Sequence, residues 1–217
     1  MKRIHRISLL SRFPRIAMPS PSHYAVTCGE GGTMRRGVIL MTLLCLGMGV
    51  MAANPPIHVV ESVDPVHYMG LWYSIASIPT SFERNCVQGT TAEYTLLESG
   101  RIQVVNTCYD ADGKIDVARG QAWVPDASES SKLRVSFVRF LGIWWFGAPY
   151  WVIDLAPDYS YAVVGHPSRT YGWILSRTPS LPDNVLADIV ERLESQGYRF
   201  EAFRMQDQSI HLSQAGG

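Results

Sequence analysis

At 217 residues, 47% hydrophobic and only 18% charged, the chain holds enough apolar material for one domain with a sizeable core and a further segment. Its zero net charge conceals a split: residues 1–53 carry Lys2, Arg3, Arg6, Arg12, Arg15, Arg35 and Arg36 against Glu30 alone, leaving 12 basic and 18 acidic residues from Asn54 onward. A body with that acidic surplus lacks the clustered positive face that displaces counterions from a phosphate backbone, which argues against a nucleic-acid partner.

Residues 1–33 have no periodicity and read either as an extended basic leader or as sequence upstream of a true start at Met34. Over 34–53, Met34-Arg35-Arg36, the apolar run 37–50 and Ala52-Ala53 supply the charged start, apolar middle and small-residue cleavage site of a secretory signal. The run is shorter than the roughly 20 residues that cross a bilayer core, and a retained membrane helix is the alternative. Arg35-Arg36 alone is a weak sign of twin-arginine export. Cys45 follows Leu43-Leu44 rather than the small residue that lipid attachment calls for. An exported, periplasmic protein is therefore expected ahead of an outer-membrane-associated, lipid-anchored one. With Cys28 and Cys45 in the leader, the body keeps Cys86 and Cys108, and two cysteines in an oxidising compartment usually pair. Such a bridge would contribute about 3 kcal/mol by restricting the unfolded chain. A metal site is not expected, because the nearest histidines in sequence, His67 and His166, lie far from both cysteines.

Residues 54–65 read as a proline-bearing linker into a single domain over 66–206. Short β-type segments follow one another at 71–78, 90–97, 101–109, 115–124, 132–140, 150–155, 161–165 and 171–177, each bounded by turn residues such as Glu98-Ser99-Gly100 and Asp110-Ala111-Asp112-Gly113. Eight such strands in neighbouring order predict an all-β fold, an antiparallel up-and-down barrel with room for a small ligand; a filled barrel or a sandwich would use the same pattern. Pro182-Asp183 then opens a C-terminal helix with apolar residues at Val185, Leu186, Ile189, Val190 and Leu193, ended by Gly197 and packed outside the barrel. Residues 200–203 resemble a last short strand, and 207–217 a flexible tail.

Catalytic signatures are missing: there is no Gly-x-Ser-x-Gly elbow, phosphate-binding glycine loop, His-Glu-x-x-His or Cys-x-x-Cys. His166 at a strand end reads as a solvated turn histidine rather than a base, and Glu93 and Asp154 as solvent-facing acids. Aromatic residues are plentiful instead, with Tyr94, Tyr109, Trp123, Phe137, Phe140, Tyr150, Trp151 and Trp173 on the expected strands. Alternation turns half of them inward, to line a cavity or to fill a dry core. Gly70-Leu71-Trp72-Tyr73 begins the first strand and Arg177 ends the last; a guanidinium stacked on the Trp72 indole would pin the two together. Counting back from Arg177 puts Leu175 and Trp173 on the inner face. The connection 140–149 is almost wholly apolar, with Phe140, Trp144, Trp145 and Phe146, whereas connections are usually polar. It fits a cover over a ligand, a contact with a membrane surface, a homodimer contact, or burial against the domain itself.

Gly70-Leu71-Trp72-Tyr73, Ile78-Pro79-Thr80-Ser81-Phe82-Glu83, Ala92-Glu93-Tyr94, Val105-Asn106, Tyr150-Trp151-Val152, Asp158-Tyr159 and Trp173-Ile174-Leu175-Ser176-Arg177-Thr178-Pro179 together resemble a lipocalin. The nearest pattern is that of the bacterial outer-membrane lipocalins and their apolipoprotein D and plant temperature-induced relatives. The resemblance implies a calyx that binds fatty acids, lysophospholipids or related lipids without transforming them and without a cofactor. Carried over by position, it makes Gly70, Trp72 and Arg177 the barrel floor. Tyr94 and Trp173 face the ligand, joined by Trp123, Phe137, Tyr150 and Val152 on the strands that build the barrel. Pro157 before Asp158-Tyr159 departs from the threonine common in the family. Two other functions compete: a lipocalin-type isomerase or de-epoxidase with a reactive group in the lumen, and an envelope interaction protein that docks through 140–149.

Overall fold

The structure, a computed structural model, describes residues 54–215. The expected leader, the signal at 34–53, Cys28 and Cys45 lie outside the described residues.

After a single turn of helix, α1 (Pro65–Tyr68), the chain runs through β1 (Gly70–Ser77), β2 (Gln88–Leu96), β3 (Ile102–Tyr109), β4 (Ile115–Trp123) and β5 (Lys132–Ser136). A small hairpin, β6 (Val138–Phe140) and β7 (Ile143–Trp145), precedes β8 (Ala148–Leu155), β9 (Tyr161–Gly165) and β10 (Gly172–Ser176). Neighbouring strands pair antiparallel, β5 reaches β8 across the hairpin, and β10 returns to β1 with Ser74 opposite Leu175. That closes the eight-stranded barrel the sequence predicts, and closure satisfies the edges an open sheet would expose. Helix α2 (Asp183–Ser195) follows, and β11 (Arg204–Met205) and α3 (Ser209–Ala215) end the described chain.

Strand alternation sorts the apolar residues into two cores. Inside the barrel, Trp72, Tyr94, Val104, Leu133, Val152, Val164 and Leu175 pack together. On its outer wall, Ile75, Ile153, Val163 and Ile174 meet Ile189 and Leu193 of α2, so the helix buries the apolar stripe seen in the sequence. Arg192 Nε donates to Asp154 Oδ2 at 2.7 Å, and its Nη2 donates to the Tyr161 hydroxyl at 2.9 Å, which fixes the helix to the wall. Asp154 is thus an outer-face residue with a partner.

Three segments differ from expectation. Residues 54–65 pack onto the barrel rather than linking loosely: Val63 is buried, Val60 N–H donates to Val152 O at 3.0 Å and Val63 N–H to Ser130 Oγ at 2.9 Å. Residues 200–203 hold a 3₁₀ turn, with the short strand just beyond it. The expected tail from 207 is built into the wall. β1 pairs with β2 only over Gly70–Tyr73. Above that point β11 pairs with Ala76 and Ser77, Gln206 N–H donates to Ile75 O, and Gln208 Nε2 reaches both Ser74 O at 2.8 Å and Thr90 O at 2.9 Å. Polar side chains here replace ladder bonds that two parting strands cannot make, and apolar periodicity carries no sign of that.

Candidate ligand-binding site

The lower end of the barrel is sealed by a fork. The Arg177 guanidinium carbon lies 3.7 Å from the Trp72 ring centroid, Nη1 donates to Leu71 O at 2.8 Å and Nη2 to His67 O at 2.7 Å. Trp72 is fully buried and its indole N–H donates to Tyr68 O at 2.9 Å, so its ring is fixed from both sides. Gly70 beside it has φ +92°, a left-handed conformation that a side chain would strain, and a Cβ there would stand 3.5 Å from Arg177 Nη1.

Above the floor three tyrosines converge from α1, β2 and β8. The Tyr150 hydroxyl sits 2.9 Å from those of both Tyr68 and Tyr94. Burial raises all three phenols, Tyr94 to about 12 and Tyr150 well above its ordinary value. The cluster is therefore a neutral, hydrogen-bonded shelf.

On that shelf stands a cavity of about 460 Å³. Val104, Val135, Val164, Leu175, Phe137 and Trp173 form apolar walls, interrupted by Ser74, Thr91, Asn106 and Ser136. Ser74 Oγ and Asn106 Oδ1 are buried without a protein hydrogen-bond partner. At the open end stand Phe82, Glu83, Phe146, His166 and Tyr171. The 78–87 connection that carries Phe82 and Glu83 is tied to β3 by the Cys86–Cys108 disulfide, whose Cα atoms are 5.5 Å apart, as the cysteine count predicts. Glu83 Oε2 accepts from Thr80 Oγ1 at 2.8 Å and Oε1 from the Trp173 indole at 3.1 Å. His166 lies with its Nδ1 2.7 Å from Ser168 Oγ, and burial holds its imidazole below the usual histidine range.

Of the residues expected to meet a ligand, Tyr94, Phe137, Tyr150 and Trp173 line this cavity. Trp123 and Val152 do not. Ala122 takes the inner position at the end of β4, and Trp123 turns to the outer wall, where the Arg101 guanidinium lies 5.1 Å from its ring. Val152 points inward but is fully buried among barrel side chains below the cavity surface. The apolar connection 140–149 is not a loop but largely the β6–β7 hairpin. Phe146 reaches the cavity mouth, whereas Phe140 and Trp145 are exposed and Trp144 folds over the outer wall beside Arg139, Gly120 and Gln121. Alternation does not reveal Ser74, Asn106, Glu83 or Tyr68 as site residues. The first two are small polar residues in ordinary strands, and the others sit outside strands. Among the described residues, no group of three or more His, Cys, Asp or Glu is placed to hold a metal ion, and no helix is long and apolar enough to cross a membrane.

Comparison with known proteins agrees with this architecture. The family model for a lipocalin-like domain matches residues 63–208. The temperature-induced lipocalin-1 of Arabidopsis thaliana is 36% identical over 162 residues, covering 73% of this chain and 87% of that protein. Mouse apolipoprotein D is 34% identical over 165 residues, covering 72% and 82%, and the outer membrane lipoprotein Blc of Escherichia coli K12 is 34% identical over 169 residues, covering 76% and 92%. Among solved structures, insecticyanin from the tobacco hornworm Manduca sexta superposes with a TM-score of 0.57 at 23% identity, over 71% of this chain and 86% of that one, which bears on the fold alone. The chain belongs to the lipocalin family, whose members bind small hydrophobic molecules.

Proposed function

We propose that this lipocalin captures long-chain amphiphiles, the class that includes fatty acids and lysophospholipids, and carries them in the cell envelope without chemical change. The observation that carries this reading is the cavity of about 460 Å³, walled by apolar side chains, sealed below by Trp72 and Arg177 and open at one end. Its size lies within the range of roughly 300–1,000 Å³ common to small-molecule pockets. Each methylene that leaves water on entry contributes about 0.8 kcal/mol before ordering costs, enough for tight reversible capture of an acyl chain. Export to the envelope is supported by the basic-then-apolar stretch 34–53 and by the name of the Escherichia coli relative, an outer membrane lipoprotein. Titrating the delipidated protein with a long-chain amphiphile should quench its tryptophan fluorescence saturably, and Trp173→Ala should weaken the quenching. Absence of a saturable response to every chain-bearing probe would refute the reading.

The β6–β7 hairpin favours delivery at a lipid surface. Leu141 at its tip is 83% exposed with φ +50°, and Phe146 is 84% exposed with φ +54°. Each is an exposed apolar residue in a conformation costing about 1–2 kcal/mol, and a contact that buries them would offset the cost. Phe140 and Trp145 extend the same surface beside the mouth.

A further inference from the structure

The mouth of the cavity is charged in one sense only. Of the side chains that line it, Glu83 alone bears a full charge, and neither lysine nor arginine is among them. His166 offers no compensating cation, because burial disfavours its protonated form. Glu83 has no ion-pair partner among the described residues. The Thr80 hydroxyl and the Trp173 indole hold its carboxylate in place, and the Cys86–Cys108 bridge anchors the backbone that bears it.

Aromatic rings share the cavity lining with this carboxylate. Tyr171 and Trp173 are nearly parallel, at 11° with centroids 6.4 Å apart, His166 meets Tyr171 edge-on at 5.2 Å, and Phe82 flanks Glu83 on the same connection. A fixed negative group in a cavity mouth that also carries aromatic rings is the environment that attracts an organic cation. A free carboxylate head seated there would meet a like charge in a partly desolvated site and find no basic partner.

We infer that Glu83 reads the ligand's head group, and that the calyx prefers amphiphiles whose head carries an amine or quaternary ammonium nitrogen over those ending in a free carboxylate. This rests on the calyx being the binding site, and the test separates the two ideas. Dodecyltrimethylammonium, dodecanol and dodecanoate share one chain and differ in head charge; each is titrated calorimetrically into the delipidated protein below its micellar concentration. The wild type should bind the ammonium probe at least about tenfold more tightly than dodecanoate, with dodecanol between them. Glu83→Gln, which keeps the side chain's shape and an oxygen acceptor, should bring the two charged probes within about threefold, and Glu83→Lys should invert their order. Dodecanoate binding as tightly as the ammonium probe, or a ratio unchanged in Glu83→Gln, overturns the head-group inference while leaving the calyx reading intact. No binding by any of the three overturns the calyx reading, and this inference with it.

Discussion

Arg177 shows how much one side chain can do when its geometry matches its surroundings. Its planar fork satisfies two carbonyls, Leu71 O and His67 O, while its face lies on the Trp72 ring, so a single residue just past β10 closes the floor against β1. Removing it leaves two acceptors unpaired and one indole face bare. Because the guanidinium is half-buried, solvent screens part of the loss, and Arg177→Ala should cost about 2–3 kcal/mol. Arg177→Lys should recover little, since an ammonium can neither stack nor bridge both carbonyls. Urea unfolding measures both, and a lysine variant as stable as the wild type would show that charge alone matters here. This contact was legible in the sequence because both residues lie at strand ends, where alternation assigns a face and the motif supplies the partner. The same reasoning misplaces Trp123, because alternation gives two faces and does not say which is the lumen; Trp123 shares its face with Arg134 across β4 and β5, while Ala122 beside it packs in the barrel interior. Glu83 stands out in the sequence only as part of a motif, since a residue in a connection has no periodicity to place it.

Among the elements, the β6–β7 hairpin departs most from its local chemistry. A two-residue connection with both central residues at positive φ favours Asn-Gly, yet this one is Leu141-Gly142, at φ +50° and +80°. The sequence shows the apolar character of the stretch and hides its shape, because Ile143-Trp144-Trp145 has no polar alternation to announce a strand. A strand pair keeps Leu141 and Phe140 projecting, whereas a collapsed loop could bury them. The double substitution Phe140→Asp, Leu141→Asp should therefore abolish association with phospholipid vesicles while leaving solution binding of a monomeric amphiphile within about twofold, since neither residue lines the cavity. Vesicle flotation and calorimetry read the two effects separately. Should sedimentation instead show a wild-type dimer that the same substitutions dissociate, the surface pairs with a second copy of the chain. The C-terminal segment makes the opposite point. Gln208 looks like part of a flexible tail in sequence, but with Gln206 it spans the gap where β1 and β2 part, with bonds that only the assembled barrel defines.

At the scale of the whole molecule the barrel is asymmetric, with a sealed polar-knotted base and a wide mouth, and the knot links its stability to pH. Tyr68, Tyr94 and Tyr150 come from opposite sides of the barrel and share hydroxyl contacts at 2.9 Å. Desolvation raises their pKa values, Tyr94 to about 12, and Tyr161 and Tyr198 on the outer wall are raised as well. In the unfolded chain a phenol ionises near pH 10. Below that, both states keep their protons and the full stability remains. As pH rises from about 10 toward 12, the unfolded chain releases protons that the folded barrel retains, and the balance moves toward unfolding. Tyr94 alone would then cost on the order of 2 kcal/mol over that interval. The urea midpoint should thus be flat from about pH 8 to 10 and fall steeply above it, with the tyrosinate absorbance of the cluster appearing only on unfolding. Tyr150→Phe should lower stability at neutral pH, because Tyr68 and Tyr94 lose their common partner, yet flatten the alkaline fall, because one fewer proton is released. An alkaline fall as steep in that variant as in the wild type would place the linkage outside the cluster, with the outer-wall pair Tyr161 and Tyr198, and would make the shelf beneath the cavity a passive part of the fold.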